Sequence, residues 1–146
     1  MANSLRVTVD ASLPLDYDPR VLAQIAQELG LRLVVLHGSR AEGREEAGSD
    51  IDLAVLAEGA VDAARQMLIF RRLSQVVAGA PLDISLLNGT QPNFLAVVAE
   101  TGRPLYEAVP NEFLRFCSLA LRMFADATKW QAAQTQHLAR EEEAPR

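Results

Sequence analysis

Short apolar runs alternate with polar, glycine-containing stretches and with amphipathic stretches along the chain. The run Leu33–Leu36 is short and rich in β-branched residues, which favours a buried strand. A polar stretch separates it from Asp50–Leu56, where a second strand is predicted. The run Leu82–Leu87 predicts a third strand, and Asn88-Gly89 is typical of the turn that would follow it.

Apolar residues at helical spacing, together with capping residues, predict the helices. Asp18 suits an N-cap, Pro19 suits the first helical position, and Gly30 suits the end of that helix. Gly102 ends another helix in the same way. The further predicted helices are Ala60–Gly79, Pro92–Thr101 and Asn111–His137, and the predicted extended segments are Leu5–Asp10 and Arg103–Glu107.

This order of elements predicts one α/β (α+β) fold, a mixed sheet flanked by helices. We expect residues 1–110 to form the domain, with residues 111–146 as a C-terminal helix and an acidic, frayed tail packed on it. Three arginines of the second predicted helix, Arg65, Arg71 and Arg72, are expected to form a solvated face.

The charge, the cysteine count and the lengths of the apolar runs exclude some classes of function. The 146 residues carry a formal net charge of -5 and no basic block, so direct binding of nucleic acid is not expected. The single cysteine, Cys117, excludes an intrachain disulfide and fits a reducing cytoplasm. No apolar signal region or run of membrane-spanning length is visible, so we expect a cytoplasmic protein that does not enter a membrane.

Asp50 and Asp52 are the first candidate site residues. Alternate side chains of a strand point to one face, so these carboxylates project together, away from Ile51 and Leu53. Paired carboxylates repel each other unless a cation neutralises them. Their hard oxygen atoms suit Mg²⁺.

Gly38-Ser39 follow the first strand and suit a phosphate. A glycine lets a ligand approach the backbone, and Ser39 offers a hydroxyl and an N–H group. Arg40 lies in the same turn and is a further candidate for phosphate contact. A phosphate cradle beside paired carboxylates is the minimum apparatus for transfer of a phosphoryl or nucleotidyl group.

Gly38-Ser39, ten residues and then Asp50-x-Asp52 resemble the signature of the nucleotidyltransferase fold of the DNA polymerase beta superfamily. The sequence GSRAEG followed by SDIDLAVL is similar to sequences of the small MNT-type (minimal nucleotidyltransferase) branch. The resemblance implies a mixed, twisted sheet with a metal site at one end. It also implies that Asp83, on the third strand, is the third carboxylate of that site.

The resemblance also implies a specific activity. It implies that Asp50, Asp52 and Asp83 are catalytic and bind two Mg²⁺ ions, and that Gly38, Ser39 and Arg40 bind the nucleotide. ATP would be the substrate, and AMP would pass to a hydroxyl, as in MNT antitoxins that modify a tyrosine of a partner HEPN toxin. Two alternatives remain open: transfer to a small hydroxylated molecule such as an aminoglycoside, and a non-catalytic antitoxin that blocks its partner by contact.

Two features are left undecided by the pattern. Strand alternation does not settle which face His37 occupies. On the last helix the apolar arc covers about two-thirds of the circumference, against about 100° for burial on one side. We therefore expect the excess to contact a toxin partner or a second copy of the chain, or else to lie in a groove of its own domain.

Overall fold

A computed structural model of the chain describes residues 15–38, 41–43, 50–78 and 80–145, and it confirms the predicted class of fold. The predicted strand Leu5–Asp10 lies outside the described residues. The elements, in chain order, are α1 (Pro19–Glu28), β1 (Leu31–His37), β2 (Ile51–Ala57), α2 (Ala63–Ser74), β3 (Leu82–Leu86), α3 (Pro92–Thr101), β4 (Arg103–Glu107) and α4 (Glu112–Glu143).

The strands form one open, mixed sheet in the order β3-β2-β1-β4. β1 runs antiparallel to both β2 and β4, whereas β2 and β3 are parallel. The connectivity explains this difference. β2 follows β1 through a turn region and can pair with it directly, whereas β3 follows β2 through α2, the crossover that parallel neighbours require.

Both faces of the sheet are covered by helices. The face against α1 and α2 buries Leu22, Leu36, Ile51, Leu53, Ile69 and Leu73. The face against α3 and α4 buries Leu33, Val35, Ala54, Val98 and Phe116. Alternation along β1 and β2 sends successive side chains to opposite cores, so each strand reads as a nearly continuous apolar run.

The second helix is shorter than the predicted range of residues 60–79. Asp62 caps the helix, because its side chain accepts a hydrogen bond from Arg65 N at 2.7 Å. Beyond Ser74 the chain leaves the helix, and Ala78 N donates to Asp16 O at 3.2 Å in an isolated antiparallel bridge. A cap at one end and a backbone bridge at the other therefore limit the helix. Apolar spacing alone overestimated its length.

The last helix is longer than predicted. It continues past His137 to Glu143, so residues 141–143, which were expected to belong to the frayed tail, are helical. His137 Nε2 lies 3.2 Å from Glu141 Oε1 one turn further on, which supports the final turns. The helix stops at Ala144, before Pro145, as expected for a residue that precedes proline. Among the described residues, no helix combines the length and apolar character needed to cross a membrane.

The prediction of a solvated arginine face was wrong for Arg65. Its guanidinium donates to four backbone carbonyl groups that lie between α1 and β1 or between β2 and α2. The acceptors are Glu58 O at 2.6 Å, Ala60 O at 2.9 Å, Leu29 O at 3.2 Å and Gly30 O at 3.4 Å. Arg65 therefore ties together the connection between α1 and β1 and the connection between β2 and α2.

The other two arginines differ from each other. Arg72 pairs with Glu28 of α1, and this hydrogen bond is the main reason that the pKa of Glu28 is lowered. Arg71 is exposed, as predicted for the solvated face. The helix therefore uses Arg65 and Arg72 for contacts with its own domain.

We predict that Arg65→Lys lowers the free energy of unfolding by about 1–3 kcal/mol, because an ammonium group cannot reach four carbonyls held in a fork. Urea denaturation followed by circular dichroism would measure this loss. The matched control is Arg71→Lys, for which we expect a change within about 0.5 kcal/mol, since Arg71 is exposed. Equal losses in the two variants would contradict the role assigned to Arg65.

Candidate active site

Three polar side chains form a row across three neighbouring strands. In the β1–β2 register His37 lies opposite Asp52, and in the β2–β3 register Asp52 lies opposite Asp83. Residues directly opposite each other share a face of the sheet, with Cβ atoms about 4.5–5.5 Å apart in an antiparallel pair. All three side chains therefore lie on the face that α3 and α4 cover.

Asp52 lies at the centre of the row. Its partial burial is the main reason that its pKa is raised, and the charges of Asp83 and Asp50 raise the pKa further. The charge of His37 acts in the opposite direction. Asp50 precedes β2 and is exposed. Negative charge therefore gathers at this end of the sheet.

Gly38 follows β1 and lies directly against Asp52. Its φ angle of 75° is in the left-handed region that favours glycine. A Cβ atom at Gly38 would also overlap Oδ2 of Asp52. Both the turn and the position of the Asp52 carboxylate thus require glycine here. Ser39 and Arg40, the other predicted nucleotide contacts, lie outside the described residues, and their roles stay predictions.

His37 is the site residue whose orientation the sequence left open. Its ring lies edge-on to Phe94 of α3, with centroids 5.5 Å apart and an interplanar angle of 82°. Nε2 is buried and has no hydrogen-bond partner in the described part of the chain. Burial lowers the pKa of His37, and the charges of Asp52 and Asp83 oppose this shift. The face of the sheet on which His37 lies follows from the strand register, in which His37 lies opposite Asp52.

The donor set fits a divalent cation. Asp50, Asp52 and Asp83 supply hard oxygen atoms, and the close fit of Asp52 against Gly38 shows where one carboxylate is held. Nε2 of His37, on the neighbouring strand, is buried and has no hydrogen-bond partner among the described residues. In the described conformation, however, no three His, Cys, Asp or Glu side chains of residues 15–38, 41–43, 50–78 and 80–145 converge closely enough to hold one ion.

A separate cleft lies on the opposite face of the sheet. It has a volume of about 280 Å³, and Met67 and Phe70 of α2 and Ile84 and Leu86 of β3 line it. Because Ile84 and Leu86 alternate with Asp83 along β3, the cleft opens on the other side of the strand from that carboxylate. It therefore is not part of the carboxylate site.

Comparison with known proteins identifies the family. Residues 21–111 match the family described as polymerase beta, nucleotidyltransferase. The match covers well over half of the chain, and the chain belongs to this family of nucleotidyltransferases. No curated protein sequence gives a significant match.

Several solved structures share the fold. A chain of a toxin–antitoxin complex with AMP-PNP is 19% identical with a TM-score of 0.66, and the match covers 84% of this chain and 98% of that chain. A chain of the MntA–HepT toxin–antitoxin complex is 20% identical with a TM-score of 0.60, covering 83% and 96%. A tri-AMPylated HEPN toxin in complex with an MNT antitoxin, from Shewanella oneidensis, gives 18% identity and a TM-score of 0.60, covering 83% and 95%. At these identities the likeness establishes the fold.

We predict that Gly38→Ala weakens binding of ATP with Mg²⁺ at least about tenfold, or about 1.4 kcal/mol. The added Cβ would displace the Asp52 carboxylate and fill the space at the backbone. Isothermal titration calorimetry would measure the affinity. Gly59→Ala is the matched control, because Gly59 has a similar φ of 69° and nothing near its Cβ position.

Both variants force alanine into the left-handed region, which costs roughly 1–2 kcal/mol of stability. The free energy of unfolding should therefore fall in both variants, whereas only Gly38→Ala should lose affinity for ATP. If Gly38→Ala bound ATP as tightly as Gly59→Ala, the place assigned to the nucleotide beside Gly38 would be wrong.

Proposed function

We propose that the protein is a Mg²⁺-dependent nucleotidyltransferase that moves AMP from ATP to a tyrosine hydroxyl of a partner HEPN toxin, and that it acts as the antitoxin of that toxin. The observation that carries the proposal is the meeting of Asp52, Asp83 and Gly38 at one end of the sheet, in a chain of the nucleotidyltransferase family. A cytoplasmic location is part of the same proposal.

In this proposal Gly38, Ser39 and Arg40 bind the phosphates of ATP. Asp50, Asp52 and Asp83 hold divalent cations, which would neutralise charge on the nucleotide and lower the pKa of the acceptor hydroxyl. We assign Asp83 to the acceptor side, because β3 is the outer strand of the described sheet and Asp52 lies one strand further in.

The reaction is an in-line displacement at the α-phosphorus of ATP. The acceptor oxygen forms a bond to this phosphorus, the bond to the bridging oxygen breaks, and pyrophosphate leaves with the electron pair. In this proposal the Asp83 carboxylate would accept the hydroxyl proton, and AMP remains as an ester on the acceptor. The contribution of the protein is positioning and charge neutralisation, which account for most of the catalysis of such transfers.

Two observations support a protein partner. The fold neighbours described above come from toxin–antitoxin complexes, one of them with an AMPylated HEPN toxin. In this chain, α4 packs mainly on α3, and from Leu121 onward its large apolar side chains are exposed. Trp130 and Leu138, for example, are 66% and 54% exposed.

The apolar surface of α4 therefore extends well beyond the groove of its own domain. We propose that residues 111–146 form an extension of the nucleotidyltransferase domain, residues 1–110, and that this extension meets the toxin. A second copy of the chain is the other occupant that its apolar side chains would accept. Exposed apolar surface of this extent on one helix is typical of an interface.

The two alternative functions have less support. A small hydroxylated acceptor such as an aminoglycoside would need an acidic pocket beside the metal site. The cleft described above is lined mainly by apolar residues and lies on the opposite face of the sheet. A contact-only antitoxin has no need of the carboxylates, whereas all three expected carboxylates are present.

The proposal predicts that the HEPN toxin gains one or more AMP units when it is incubated with this protein, ATP and Mg²⁺. Intact-mass spectrometry of the toxin would show the gain. We expect the Asp50→Asn/Asp52→Asn variant to give none, since it removes carboxylates that hold the cations. Asp16→Asn/Glu100→Gln is the matched control, because it removes the same charge at exposed positions outside the helix proposed to meet the toxin and should leave the transfer intact.

The outcomes separate the alternatives. Tight binding of the toxin without a mass gain would contradict the catalytic proposal and favour inhibition by contact. Neither binding nor a mass gain would favour a small-molecule acceptor. An equal mass gain with the Asp50→Asn/Asp52→Asn variant would exclude these carboxylates from the reaction.

A further inference from the structure

The outer edge of β3 presents a row of backbone groups. Within the described sheet β3 pairs with β2 alone, and parallel pairing uses the backbone groups of alternate residues. Pro81 O and Leu87 N bond to β2, so the odd-numbered residues of β3 are the ones that pair with it. The N–H and C=O groups of the even-numbered residues therefore point to the outer edge, and these residues are Leu82, Ile84 and Leu86. Such an edge is a template for a further strand.

One side of this edge is apolar. The cleft of about 280 Å³ is lined by Met67 and Phe70 of α2 together with Ile84 and Leu86 of β3. Met67 is 68% exposed and Phe70 is 44% exposed within the described part of the chain. Every second side chain of a strand added to β3 would lie on the same face as this cleft. The cleft therefore suits a strand with apolar residues at alternate positions.

The chain before α1 is directed towards the same edge. Asp16 and Ala78 form an isolated antiparallel bridge, in which Ala78 N donates to Asp16 O at 3.2 Å. In antiparallel pairing, the residues that precede Asp16 run alongside the residues that follow Ala78. The chain after Ala78 enters β3 at Leu82, four residues further on. The bridge thus gives the preceding segment both a direction and a starting point beside β3.

We propose that the predicted strand Leu5–Asp10, which lies outside the described residues, pairs antiparallel with the outer edge of β3 as a fifth strand. Its side chains alternate between an apolar set, Leu5, Val7 and Val9, and a polar set, Arg6, Thr8 and Asp10. The apolar set enters the cleft, where its burial is favourable, and the polar set lies on the other face.

The connection to the bridge is compatible with this arrangement. Asp10 lies six residues before Asp16, and Leu82 lies four residues after Ala78, so both strands begin a short distance from the bridge. Pro14, between Asp10 and Asp16, has no N–H group and interrupts the ladder. The apolar side chains, and not the bridge, therefore determine the register of the fifth strand.

The fifth strand has a consequence for the site. It pairs the outward backbone groups of β3 and covers the cleft, which protects an edge that would otherwise associate with other chains. Asp83 points to the opposite face of the sheet and stays open. An acceptor then reaches Asp83 from that face and does not pair with β3. This placement is independent of the proposed AMP transfer, because only backbone pairing and apolar burial support it.

Amide hydrogen exchange in the full chain, followed by NMR, tests the fifth strand. The outward amides of β3, those of Leu82, Ile84 and Leu86, should be protected as well as the amides of Asp83 and Ser85, which bond to β2 and serve as the internal reference.

The Val7→Asn variant should speed exchange of the outward amides at least about tenfold, because an amide side chain replaces a valine buried in the cleft. Thr8→Asn is the matched control, since it introduces the same side chain on the other face and should leave the exchange unchanged. The reference amides of Asp83 and Ser85 should stay protected in both variants.

Four results would overturn the fifth strand. The first is fast exchange of the outward amides in the unmodified chain, and the second is protection that persists in Val7→Asn. Protection that rises with protein concentration would assign the edge to a second copy of the chain, and protection that requires added toxin would assign it to the toxin. Should Val7→Asn fail to fold, backbone NOE contacts between residues 5–10 and 82–86 of the unmodified chain decide: their presence supports the fifth strand and their absence refutes it.

Discussion

The pairing register of β1, β2 and β3 is the constraint on which the site depends. Side chains alternate along a strand, so a slip of one residue in β2 would turn Asp52 towards α1 and α2 and bring Ile51 to the charged side. Burial of Ile51 and Leu53 in the core opposes such a slip. The same apolar contacts that stabilise the sheet therefore bring His37, Asp52 and Asp83 into one row.

This row is electrostatically unfavourable in isolation. Burial and neighbouring negative charge raise the pKa of Asp52, and Nε2 of His37 has no partner among the described residues. Unfavourable interactions of this kind are found where a bound ligand compensates for them, and groups with shifted pKa values cluster at functional sites. Gly38 has no side chain, so the backbone at this residue lies close to the Asp52 carboxylate. The unfavourable electrostatics and the proposed binding of cations thus both result from the placement of these side chains in one row.

Local signals predicted much of the fold, and long-range contacts set the rest. α3 and β4 match their predicted bounds, because Pro92 and Gly102 mark helix ends directly in the sequence. The length of α2 depends on a bridge to Asp16, and the role of Arg65 depends on carbonyl groups more than thirty residues away. Neither is visible in a local pattern. The face of His37 likewise follows only from the register, which no single strand encodes.

The central claim is that the carboxylates of this row hold the cations of a nucleotidyl-transfer site. Its most direct test is a crystal structure with Mn²⁺ and a non-hydrolysable ATP analogue, with anomalous diffraction used to locate the metal. The account predicts anomalous density bounded by Asp50, Asp52 and Asp83, with the analogue's phosphates against the backbone of Gly38. Metal and nucleotide bound elsewhere, with Asp52 and Asp83 free of both, would contradict it.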